Sequence, residues 1–113
     1  MRIDGCYDWA LPMGDKILFE IHARKYIERY KFEQLKDATS QLFYLAMVDL
    51  IRAMEQPEPY TPHRDTSVYR IRLTTTGVIA VNRFAKIAQI EIGEENEDQK
   101  VFQTIAQEFH LII

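Results

Sequence analysis

Apolar residues recur along this chain with two different periods, and the change from one to the other marks its elements. The longest helical pattern covers residues 32–55. There Phe32, Leu35, Thr39, Leu42, Phe43, Ala46, Leu50 and Ala53 fall within about a third of the circumference at 3.6 residues per turn. The opposite face carries Glu33, Asp37 and Gln41 in its first half and Leu45, Val48 and Ile51 in its second. The second half is therefore apolar nearly all round, which calls for cover by the rest of the chain or by another subunit.

A second helix is predicted over 97–108. Asn96 is a suitable N-cap, Gln99 stands at the capping-box position, and Val101, Phe102, Ile105, Ala106 and Phe109 form one stripe. The closing residues 110–113 suit a short last strand.

Between these helices the period drops to two. In SVYRIRLTTTGVIAVN, residues 67–82, Tyr69, Ile71 and Leu73 would face inward, with Val68, Arg70 and Arg72 facing the other way. Residues 74–77 are expected to form a turn, with Gly77 able to take positive φ, and a second strand is expected to run to about Ile92 with a bulge near Asn82 and Arg83. Val81, Phe84, Ala85 and Ala88 also fit a helix, so the second strand has a competing reading.

Residues 16–30 carry both signals. Ile17, Phe19, Ile21 and Ala23 alternate as in a strand, whereas Phe19, Ala23, Tyr26, Ile27 and Tyr30 repeat as in a helix. The β-rich run at 17–21 favours a strand over 17–23. The expected class is α+β, an antiparallel sheet packed on one face by two helices. Its order would be β-α-β-β-α with a possible final β, as in a ferredoxin-like split βαβ, and the alternative is α-α-β-β-α. Pro57, Pro59 and Pro62 make residues 56–65 a loop.

Length adds that 113 residues form one domain, 1–113, large enough to bury roughly two-thirds of its surface without metal or disulfide. The single cysteine, Cys6, forbids an intrachain disulfide and fits a reducing, cytoplasmic setting. Its neighbours Asp4 and Asp8 oppose a reactive thiolate, so it reads as an idle or buried thiol. No apolar stretch is long enough to span a membrane, and the N-terminus lacks a signal-peptide core. A net charge of −3 argues against a bulk basic nucleic-acid binder but leaves room for a local basic face.

Three sets of residues carry candidate chemistry. Arg64, Arg70, Arg72, Arg83 and Lys86 would form an anion-binding patch on the expected hairpin, with the acidic run 91–98 as an internal counterweight. The competing explanation is a solvated sheet face whose charges discourage edge pairing. The spacings Glu20-x-His22, His63-x-Asp65 and Glu108-x-His110 would place acid and imidazole on one side of a strand, as a metal site or acid–base pair requires. The three pairs lie on separate elements, and HExxH, CxxC, GxSxG and glycine-rich phosphate loops do not occur. Asp49 inside an apolar run is expected to pair with Arg52.

The excess apolar surface at Leu45, Val48 and Ile51 favours a small, cytoplasmic, non-catalytic interaction or regulatory module. It would need no cofactor and would bind a protein partner, most simply a second copy of itself. The alternatives are a nucleic-acid or anionic-ligand binder using the arginine face, and a small enzyme using His22, His63 or His110 with a nearby acid.

Overall fold

The computed structural model describes residues 6–56, 67–94 and 96–112. Along the chain these form strand β1 (Cys6–Pro12), helix α1 (Met13–Arg29), a 3-10 turn (Phe32–Gln34), helix α2 (Ala38–Glu55), strand β2 (Val68–Thr74), and helices α3 (Thr75–Ile92) and α4 (Asp98–His110). The class is α+β, with a two-stranded antiparallel sheet in the order β1-β2. The element order is β-α-α-β-α-α rather than the ferredoxin-like order. Two compact units can be distinguished, one within Asp8–Ile71 and one joining residues 6–7 to Arg72 onward.

Both strands alternate as half-buried strands do. Trp9, Leu11, Tyr69 and Leu73 are buried, whereas Asp8, Ala10, Arg70 and Arg72 are exposed. The expected two-sided pattern of residues 68–73 is thus observed. The partner strand is β1, however, and not the segment after Gly77. Within Asp8–Ile71, the Met13 N–H donates to the Ser67 carbonyl at 2.8 Å beside the end of the ladder. Continued along antiparallel strands, that register sets Leu11 opposite Tyr69 and Ala10 opposite Arg70.

Residues 17–23 are helical, contrary to the strand expectation. Lys16, Glu20 and Arg24 stand at i, i+4 and i+8. Glu20 pairs with Lys16 and, at 3.6 Å, with Arg24. Arg24 also reaches Glu55 of α2 at 2.6 Å. Such pairs align only on a helix. Beneath them Phe19 and Ala23 are fully buried, and Phe19 meets Trp9 edge-on at 5.5 Å. Lys16 lies over the Tyr69 ring, 5.0 Å from its centroid.

The expected helix 32–55 is broken near its start. Asp37 is extended and its carboxylate accepts a hydrogen bond from the Ser40 N–H at 2.8 Å, so α2 begins at Ala38. The Gln41 amide donates to the Leu35 carbonyl at 2.9 Å and ties down the preceding connection.

The largest departure is at residues 74–92. Thr74 is no hairpin residue. Its hydroxyl accepts from the Gly77 N–H at 3.2 Å and caps α3. Gly77 therefore sits in the first turn of a helix, and the positive φ belongs instead to Gly93, at 87°. Val78, Val81, Phe84, Ala85 and Ala88 form the buried stripe of α3. Phe84 meets Phe102 of α4 edge-on at 5.8 Å.

Gly93 ends α3 with its N–H donating to Gln89 at 3.2 Å. The N-cap of α4 is Glu97 rather than Asn96 and makes no side-chain cap bond, though the Asn96 side chain, one residue earlier, accepts the Asp98 N–H at 2.9 Å. Gln99 does not close a capping box, because its amide donates to the Gln89 carbonyl at the end of α3, at 3.5 Å. Among the described residues the expected last strand is absent: His110 closes α4 and residues 111–112 form a turn, while Ile113 lies outside the described residues. In the same unit Tyr7 of β1 packs on Phe109 at 5.5 Å and donates its hydroxyl to Glu108 at 2.8 Å.

Candidate functional site: the outward seam of helix α2

The buried face of α2 is turned from its expected direction. Phe43, Met47, Leu50, Ile51 and Met54 are buried, at i, i+4, i+7, i+8 and i+11. Of the three expected contact residues, Ile51 is 4% exposed and belongs to the interior, Val48 is half-buried, and Leu45 is 47% exposed. Leu42, assigned to the buried stripe by its spacing, is 67% exposed. The correction has a simple cause. Met47 and Met54 fill the interior in place of Leu42 and Ala53, and flexible thioethers suit irregular gaps.

The outward side of α2 carries Ala38, Leu42, Leu45, Asp49 and Arg52, all exposed. Their spacing of four, three, four and three is that of a helix seam. Leu42 and Leu45 are one turn apart at its centre, with Asp49 and Arg52 following. Asp49 and Arg52 are solvated, and among the described residues no ion pair joins them. Asp49 is therefore no buried acid.

The arginine set does not assemble as a hairpin face. Arg70 and Arg72 are exposed on β2. Arg83 and Lys86 lie on α3, because residues 75–92 are helical, and both are exposed one turn apart between outward-facing Ile79 and Ile90. Arg64 lies outside the described residues. Within the acidic run 91–98, Ile92, Gly93, Glu94, Asn96, Glu97 and Asp98 line a shallow depression.

The histidine pairs require strands and find helices. Residues two apart on a helix point about 200° apart. His22 is half-buried on α1, while Glu20 is held by Lys16 and Arg24. His110 is exposed at the end of α4, while Glu108 accepts the Tyr7 hydroxyl. His63 and Asp65 lie outside the described residues, as does the thiol of Cys6. Among the described residues no cluster of three or more His, Cys, Asp or Glu side chains could hold a metal ion. No described helix is long and apolar enough to cross a membrane.

Leu42 is the site residue that the apolar stripe conceals. Its signal is the 4-3-4-3 spacing of 38, 42, 45, 49 and 52, read as a second seam behind the first. Comparison with protein-family models, curated proteins and solved structures finds no match to this chain. Its functional reading rests on its own chemistry.

Proposed function

We propose that this protein is a small, non-catalytic, cytoplasmic interaction module, a regulator, inhibitor or accessory subunit, that self-associates through the outward seam of α2. One observation carries the reading: Leu42 and Leu45 stand side by side on that seam at 67% and 47% exposure. Fully burying a leucine is worth about 1.5–3 kcal/mol over leaving it exposed, so two adjacent ones favour contact. A two-fold pairing would bring four together. The non-catalytic part is supported by Glu20 and Glu108, whose carboxylates are engaged by Lys16 and Arg24 and by the Tyr7 hydroxyl.

Sedimentation of the parent chain at about 100 μM, where interfaces of modest area are populated, should give a mass above 13.4 kDa. The double variant Leu42→Glu/Leu45→Glu should return the monomer with unchanged far-ultraviolet circular dichroism. A parent that remains a clean monomer would remove the proposal.

A second reading is supported by Arg83 and Lys86, one turn apart on the outer side of α3. It holds that this face binds nucleic acid or another anionic ligand. Affinity that falls with salt and is lost in Arg83→Gln/Lys86→Gln would support it, and affinity indifferent to both would dispose of it.

A further inference from the structure

We infer that the end of α1 together with the connection to α2, residues 24–36, is a binding site for single-stranded nucleic acid. This site is separate from the α2 seam and from the α3 face. The segment reads RKYIERYKFEQLK. It holds Arg24, Lys25, Arg29, Lys31 and Lys36 against Glu28 and Glu33, a net +3 on a chain whose total is −3. The other 100 residues therefore carry −6. The next acid, Asp37, is engaged in capping α2 through Ser40.

The structure separates the cations by availability. Arg24 is held by Glu20 and Glu55. The Arg29 guanidinium lies over the Tyr30 ring, 5.5 Å from its centroid. Lys25, Lys31 and Lys36 are exposed, and among the described residues none has an ion-pair partner. Three solvated ammonium groups thus accompany a short stretch of chain, a disposition that suits successive phosphates.

Between them lie the aromatic rings. Tyr26 and Tyr30 pack at 4.8 Å with their planes tilted by 40°, and Tyr26 abuts Phe43 edge-on at 5.6 Å. Phe32 lies 6.0 Å from Tyr44 at 53°. Phe43 is buried and anchors this set in the interior, whereas Phe32 is 36% exposed and Tyr30 and Tyr44 are half-buried. The Phe32–Gln34 turn presents Phe32 directly after Lys31. Aromatic rings interleaved with cations are what a single strand uses, because its unpaired bases can stack while its backbone is neutralised. A duplex keeps its base faces covered, and an acidic peptide would use the lysines but not the rings.

The test is fluorescence anisotropy of the full chain with labelled oligo-U and oligo-dT of about 12 nucleotides, at about 50 mM salt, where phosphate contacts are strong. Three phosphate contacts at about 0.7 each give a log–log salt slope near −2, or about 20-fold weaker binding on going from 50 to 200 mM. Lys25→Gln/Lys31→Gln/Lys36→Gln should abolish that slope and cost more than tenfold in affinity. Phe32→Ala should weaken binding by about 5- to 100-fold while leaving the slope unchanged, since stacking is not a counterion effect. Arg83→Gln/Lys86→Gln and Leu42→Glu/Leu45→Glu should bind as the parent does.

No binding at about 50 mM salt would overturn the inference. So would full binding by the lysine variant, equal binding by a duplex of the same length, or competition by polyglutamate at equal charge. Loss of binding in the Arg83/Lys86 variant alone would overturn it in favour of the α3 face.

Discussion

Replacing Gly77 by alanine separates two structures by the sign of its effect. In a hairpin turn that requires positive φ, a Cβ at this position is strained, and Gly→Ala destabilises by more than about 1 kcal/mol. In the observed fold Gly77 is the third residue of α3, its N–H bound by Thr74, with no positive φ. There alanine restricts the unfolded chain and suits the helix, a gain of about 0.4–1 kcal/mol. The added carbon would meet Leu73 Cβ and Cδ2, each at 3.4 Å, on the border between a tight and an ordinary contact. Leu73 is buried, which limits its freedom to give way and takes back a few tenths. The expected net is a stabilisation of about 0.5 kcal/mol.

Urea denaturation followed by circular dichroism should place the midpoint about 0.2–0.4 M higher for typical slopes. Thermal melting should rise by about 2 °C. Thr74→Ala should move the other way by about 1 kcal/mol, as loss of a cap does, with Thr74→Ser close to the parent. If Gly77→Ala instead costs 1 kcal/mol or more while Thr74→Ala is neutral, residues 74–92 are not the capped helix described here.

Further outcomes follow from other contacts. Phe84→Ala removes a fully buried ring that packs edge-on against Phe102 and should cost about 3–5 kcal/mol; a Phe84/Phe102 double-mutant cycle should retain a coupling of about 0.5–1.5 kcal/mol. Tyr7→Phe deletes a part-buried hydroxyl bound to the Glu108 carboxylate and should cost about 1–2 kcal/mol by denaturant unfolding, an effect that should vanish in a Glu108→Gln background if the charge supplies most of it. Asp37→Ala should cost about 1 kcal/mol and Asp37→Asn much less, measured in the same way.

Helix α4 and strand β2 are the parts most legible from the sequence. Val101, Phe102, Ile105 and Phe109 leave a clean stripe, and Arg70 and Arg72 alternate with Tyr69, Ile71 and Leu73. The first strand is harder to see because its seven residues include a charge and a proline, and its partner is more than fifty residues away. At residues 17–23 and 78–92, β-branched residues support a strand locally. Tertiary and capping interactions decide otherwise: the Glu20 pairs in one case and the Thr74 cap in the other. The outward seam of α2 was half visible. Leu45 is exposed, whereas Leu42 and Ile51 lie on the opposite sides to those their spacing suggests, because periodicity fixes the spacing of a stripe but not which of two apolar sides meets the interior. The basic, aromatic stretch 24–36 has no motif, and its signal lies in charge density set against an acidic whole.

The antiparallel pairing of β1 with β2 also bears on how the chain must be made. Val68 leaves the ribosome 56 residues after Pro12. At about 5–20 residues per second, the first strand waits roughly 3–11 seconds for its mate. Until then its pairing edge is unsatisfied, whereas α1 and α2 can already coil. Nascent chains should therefore depend on chaperone shielding early in translation, and slowing elongation between codons 12 and 68 should lower the yield of soluble product.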